Sequence, residues 1–168
     1  MPAPSTRGRA TIVRMSDLVS DVDPDIEESP SPALWAERTG KRAYTGRNAR
    51  GAEVLIGDSK ADGVFSPGEL LQIALAACSA LSADHRLAHS LGDDFDAVVG
   101  VSNEKNDAEN RYESMTVEVV TDMSMLDEEA RAKMLERAEL AIERQCTVAR
   151  TLAAGAGHTV VFTDEAAE

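Results

Sequence analysis

The stretch from Ser66 to Gly92, SPGELLQIALAACSALSADHRLAHSLG, constrains the fold more than any other part of this chain. Ser66 is a good N-cap, Pro67 suits the first helical position, and Glu69 sits where the acid of a capping box belongs. Nothing breaks the pattern before Gly92, which is placed to end the helix. Between Leu70 and Leu81 the residues Leu70, Leu71, Ile73, Leu75, Cys78 and Leu81, with alanines among them, make the helix apolar on nearly every side. A surface helix carries one apolar stripe, whereas a helix apolar all round is buried all round. In a chain of 168 residues that requires other layers, or a second subunit, to wrap around it.

The formal charge of −13 argues against a nucleic-acid backbone or an anionic membrane as partner. No apolar run approaches the roughly 20 residues that span a bilayer. Arg7, Arg9 and Arg14 near the start are followed by no apolar segment, so the N-terminus does not read as a signal peptide. With 2 cysteines and no export signal, a disulfide framework is not expected and the cytoplasm is the expected compartment. Thiols kept reduced are either small buried hydrophobes or chemistry.

Residues 1–32 read as an N-terminal extension, rich in Asp, Glu and Pro, which cannot bury enough apolar surface to fold alone. Within it, Ala10–Met15 is a candidate strand. The domain proper is expected over residues 33–168. Leu34–Gly46 predicts a strand or hairpin, Arg47–Gly51 a turn, and Ala52–Gly57 a second strand. After the long helix, Phe95–Asn103 predicts a strand with Gly100 as a bulge, and Tyr112–Met123 a half-buried strand of an antiparallel pair. In that second strand Met115, Val117 and Val119 share one face. Asp127–Gln145 has the amphipathic period of a helix, with Met134, Leu135, Ala138, Ala141 and Ile142 inward. A shorter helix over Cys146–Ala154 and a closing strand over His158–Thr163 complete the chain. Strands and helices segregated in this way predict an α+β fold.

Cys78 lies in the middle of the apolar helix, about three turns from its start and beyond most of the N-terminal dipole. Burial there raises a thiol's pKa, so a reactive Cys78 needs a cation from elsewhere. Arg47 and Arg50 are the best donors, with Arg38 and Arg42 behind them. Cys146 begins a helix and has Arg150 one turn on, which makes it the more acidic thiol on the residues alone. For both cysteines the plain alternative is a buried small hydrophobe.

The segment SPGELLQIALAACSA, followed much later by QCTVARTL, resembles the OsmC/Ohr family of thiol-dependent hydroperoxide reductases. In that family a Pro-acid-Leu helix start precedes Ala-Ala-Cys, and a second cysteine opens a late helix. The similarity spans roughly residues 34–164. It implies an OsmC-like fold, an intertwined homodimer whose antiparallel sheets wrap central helices, with active sites at the interface. It also implies a two-cysteine peroxidase without a cofactor, acting on an organic hydroperoxide and regenerated by an external dithiol. Cys78 would be the peroxidatic thiolate and Cys146 the resolving thiol. Arg47, or second Arg50, would hold the thiolate, and Glu69 would orient that arginine. In the peroxidase pattern the acid falls one residue earlier, where this chain has Gly68; Thr147 and Ala149 stand where proline and serine are usual. These positions are more similar to the OsmC-like branch.

Three other readings stay open, one of them that Arg47 and Arg50 are simply turn charges balancing an acidic surface. Cys78, His85 and His89 fall on one helical stripe and are plausible zinc ligands, although the sequence offers no fourth. The fold also suits a binding module for a small apolar ligand, with the thiols idle.

Overall fold

Eight elements follow one another along residues 33–162, the part of the chain described by this computed structural model. They are β1 (Leu34–Gly40), β2 (Ala43–Asn48), β3 (Glu53–Ile56), α1 (Pro67–Leu91), β4 (Ala97–Asn106), β5 (Arg111–Thr121), α2 (Glu128–Gln145) and α3 (Thr147–Ala154). The 1–32 extension, with its candidate strand Ala10–Met15, lies outside the described residues.

The capping box forms as the residues dictate. The Glu69 N–H donates to Ser66 Oγ, and the Ser66 N–H donates to the Glu69 carboxylate at 2.7 Å. At the far end Gly92 has φ 98°, a conformation that a Cβ would strain, and its N–H closes on the Ala88 carbonyl. The helix thus runs unbroken for 25 residues.

Two antiparallel sheets flank it in sequence. β1, β2 and β3 form a meander; β4 and β5 pair along almost their whole lengths. Gly100 is no bulge: it pairs regularly with Glu118, and the register shift falls at Glu104/Lys105, beside the turn. On β5 Met115, Val117 and Val119 are half-buried while Thr116, Glu118 and Val120 are exposed, the alternation expected of one wet face.

The core lies where α1 crosses α2. Ala83 and Leu87 of α1 meet Met134 and Ala138 of α2, with Leu91, Phe95, Val119, Leu126 and Ile142 around them. Alanines at the crossing let the two helices approach closely, and each large side chain buried there contributes about 1.5–3 kcal/mol.

Burial of α1 on every side does not occur among the described residues. Leu75, Ala76, Ser79, Ala83 and Leu87 are buried, but Leu71, Ile73, Ala74, Ala77 and Leu81 are exposed, Leu81 at 78%. Leu71, Ala74, Ala77 and Leu81 recur at helical spacing, so they form a continuous bare stripe. α2, α3 and the β4–β5 pair cover only one side of the helix; among the described residues there is no further layer over the other.

The closing strand expected at His158–Thr163 is likewise absent over residues 155–162. A strand exists only against a partner edge, and this segment pairs with none among the described residues; Phe162 is 95% exposed.

Candidate active site

Helix α2 ends and α3 begins at the same residue, Cys146, which is both C-cap and N-cap. The break between the helices turns its side chain inward, and its exposure is 0%. Its sulfur takes the place of an N-cap oxygen: the Ala149 N–H donates to Sγ at 3.4 Å. From α1 the buried Ser79 brings its hydroxyl to 3.8 Å from the same sulfur. Cys78 is the next residue along α1, half-buried, and its thiol is among the groups that lower the Cys146 pKa. Both cysteines are free. The Ser79–Cys146 contact therefore sets two thiols from distant parts of the chain near one another.

Burial pushes the Cys146 thiol up, but the Ala149 N–H, the Cys78 thiol, the Ser79 hydroxyl and the Val148 N–H together hold it below the usual thiol range. The residues had pointed to Cys146 as the more acidic thiol with Arg150 as its neighbour. The cause is different. Arg150 donates to the Arg144 carbonyl at 2.8 Å, and the sulfur is instead served by the amides that open α3.

Arg47 corrects a second expectation. It lies within β2, opposite Trp35 and Glu53, and not in the turn. Its guanidinium is held by Glu37 at 2.8 Å and by Glu53. These carboxylates stand on the two neighbouring strands, so cross-strand pairing fixes the cation at one place on the sheet. Beside it Leu34, Trp35, Val54 and Ile56 line an open cavity of about 430 Å³. Arg50 is the exposed turn residue. Within one chain neither arginine meets a cysteine. Glu69 is engaged by Ser66, whose N–H and hydroxyl lower its pKa.

Gly68 has a physical account. A Cβ there would stand 2.3 Å from the Tyr112 hydroxyl of β5, so this tyrosine fills the space a side chain would take. Gln72 donates to that hydroxyl at 3.0 Å and to the Gly68 carbonyl at 3.1 Å, and Asn103 of β4 donates to Gln72 at 2.7 Å. Tyr112, Gln72, Asn103 and Ser79 were not singled out from the sequence. The available signal was Gln72 and Ser79, two polar residues seven apart in an otherwise apolar run, hence on one face. Between that face, β5, α2 and α3 lies a cavity of about 490 Å³, with Leu75, Met115, Val117, Ile142 and Leu152 as its apolar walls.

His85 and His89 are exposed, and among the described residues no cluster of three His, Cys, Asp or Glu side chains is arranged to hold a metal ion. No helix among them is long and apolar enough to cross a membrane.

Residues 58–160 match the family described as OsmC-like protein. An uncharacterised protein of Mycobacterium tuberculosis is 49% identical over 122 residues, which cover 73% of this chain and 89% of that one. Among solved structures, a hypothetical protein from Aquifex aeolicus has a TM-score of 0.59 at 17% identity, covering 74% of this chain and 89% of that one. An OsmC-like protein from Mycoplasma pneumoniae has a TM-score of 0.56 at 13% identity, covering 76% and 90%. The fold is that of the OsmC-like proteins, mixed α and β with antiparallel sheets. The chain belongs to the OsmC-like family.

Proposed function

We propose that this protein is a cytoplasmic, homodimeric thiol peroxidase that reduces organic hydroperoxides through Cys78 and Cys146. The observation that carries the reading is the placing of Cys78, next to Ser79, near the Cys146 sulfur and the donors there that stabilise a thiolate. Cys78, the partly exposed sulfur, attacks the outer peroxide oxygen; the O–O bond breaks, and the alcohol leaves with a proton while Cys78 becomes a sulfenic acid. Cys146 as thiolate then attacks the Cys78 sulfur, a disulfide forms, and the hydroxyl departs as water. An external dithiol returns both thiols.

Arg47 is the cation we assign to the Cys78 thiolate, with Arg50 second and Glu69 as the acid that orients it. The bare stripe of α1 and the uncovered apolar face of the β1–β3 sheet support an encounter of these groups between two subunits. An apolar pocket there favours bulky apolar peroxides over hydrogen peroxide. The family relation supports the reaction class; the family is also broad enough for other uses of the fold.

Cys78→Ser tests the reading. It is expected to abolish turnover of cumene or tert-butyl hydroperoxide with a dithiol, and retained turnover refutes the role of Cys78. The apolar cavity of about 490 Å³ favours a second reading, uptake of a small apolar molecule without turnover. In that case the wild type shows no peroxide consumption, and Cys78→Ser binds an apolar fluorescent probe as the wild type does.

A further inference from the structure

The two sulfurs differ in access and in surroundings, and the difference bears on the half-reaction that restores the protein. It rests on the peroxidase reading given above. A thiolate that reduces a disulfide approaches one sulfur in line with the S–S bond, and the other sulfur departs with the electron pair. Cys146 is closed off, at 0% exposure, behind Ser79 and the first turn of α3, whereas Cys78 is half-buried. Within one chain, an incoming thiolate therefore meets Cys78 before Cys146.

The departing sulfur then falls back among donors already in place. The Ala149 N–H points at Cys146 Sγ from 3.4 Å, and the Ser79 hydroxyl stands at 3.8 Å. Ser79 is itself buried, and the Cys146 sulfur is its hydrogen-bond partner. Hydrogen bonds to ionised groups are the strong ones, so the contact of Ser79 with this sulfur strengthens when the sulfur carries charge. Two charged side chains close to this sulfur are otherwise occupied. Arg150 serves the Arg144 carbonyl, and Glu113, which shares the adjoining cavity with Ser79 and Ala149, is engaged by Asn106 and Arg111.

We propose that reduction of the Cys78–Cys146 disulfide is directional. The external dithiol attacks Cys78 and expels Cys146 as a thiolate held by the Ser79 hydroxyl and the Ala149 N–H, so Ser79 is a positioning residue for the reductive half-reaction. In the first step a bond forms between the reductant's sulfur and Cys78 Sγ, the Cys78–Cys146 bond breaks, and its electron pair stays on Cys146. In the second, the reductant's other thiolate attacks the sulfur bound to Cys78, closing the reductant's own disulfide and releasing Cys78 as thiolate. Two electrons pass from reductant to protein, and the reductant's two protons go to solvent or to the freed thiols. The lowered pKa of Cys146 agrees, since a more acidic thiol leaves faster.

The test uses the full chain oxidised with diamide, with the intramolecular disulfide verified by peptide mapping. A monothiol, cysteamine, is added briefly, the mixture is quenched in acid, and the mixed disulfide is located by mass spectrometry. The adduct is expected on Cys78, with Cys146 freed; an adduct on Cys146 overturns the proposal. Stopped-flow reduction by dithiothreitol should be roughly ten-fold slower in Ser79→Ala. The thiolate absorbance of the reduced protein near neutral pH should move to higher pH in that variant, which a merely structural role would not produce. Equal rates and an unmoved titration remove Ser79 from the step. Adduct mapping in the wild type decides the direction of attack even where the variant does not fold. If diamide forms no Cys78–Cys146 disulfide, the peroxidase reading itself falls, a failure distinct from attack at the wrong sulfur.

Discussion

The half of the molecule that holds the sulfurs and the half that holds Arg47 are built in opposite ways. α1, α2, α3 and the β4–β5 pair close a core of their own around Ala83, Leu87, Met134 and Ala138. The β1–β3 sheet is sound in its hydrogen bonds but closes nothing: Leu34, Trp35, Tyr44 and Leu55 remain exposed. The loop that follows it folds back on the sheet through the short bridge Ile56–Phe65 and the Arg42–Asp58 ion pair. A sheet needs its apolar face covered as well as its ladder made. The contrast teaches that one chain sets the two cysteines near each other, whereas the described residues leave the apolar face of the β1–β3 sheet uncovered.

The largest expected effect separates the two halves by stability. Met134→Ala should cost about 2–5 kcal/mol, because it opens a cavity where the side chain is almost fully enclosed. Chemical denaturation monitored by circular dichroism reads it, and a loss well under that range would mean that the helical half is not the stable one. Next comes Arg47→Ala, which should lower kcat/KM for an organic hydroperoxide by about 100-fold, the scale of removing one fixed donor from a developing anion. Diamide should still join Cys78 to Cys146 in this variant. An unchanged kcat/KM would move the role to Arg50 or remove it from the sheet.

Leu81→Glu sharpens the contrast more finely. Placed on the bare stripe of α1, the charge should raise the dimer dissociation constant by roughly ten-fold or more, read by analytical ultracentrifugation. Hydrogen exchange should then show amides of β1–β3 losing protection while those of α1 and α2 keep it. Equal loss in both halves would contradict the division drawn here.

The smallest effect concerns the start of α1. Loss of the Ser66 cap in Ser66→Ala should cost about 1 kcal/mol near neutral pH. Glu69 is held below the ordinary carboxylate range by the Ser66 N–H and hydroxyl. A depressed folded-state pKa gives stability that is present above the unfolded value and is lost as pH falls through the folded one. Ser66→Ala keeps the backbone N–H, so only the part of the difference that comes from the hydroxyl acting on the carboxylate should shrink as pH drops below the carboxylate range. Urea midpoints at neutral and acidic pH check the sign.

Local signals carried far in this chain. Ser66, Pro67 and Glu69 wrote the start of α1 and Gly92 wrote its end, because caps act through neighbouring backbone groups. The 3.6-residue period of α2 and the alternation of β5 named their inner faces correctly, down to Met134 and Val117. Boundaries were weaker. β2 continues through Arg47 to Asn48 because β1 and β3 both offer partners there, which composition does not reveal. Gly100 sits in a regular ladder because its partner Glu118 keeps register, so glycine alone was a poor sign of a bulge.

By itself the sequence determined what depends on near neighbours: the helix ends, the inward faces, the α+β order of elements, and the two cysteines as candidates. Only the tertiary structure decided that Ser79 and the opening of α3 surround the Cys146 sulfur, that Tyr112 occupies the space above Gly68, and that Glu37 and Glu53 fix Arg47. Those contacts join residues far apart in the chain, and no periodicity or spacing encodes which distant groups a fold will set face to face. The exposed stripe of α1 belongs with them, for a helix written to be covered on all sides does not say what covers it.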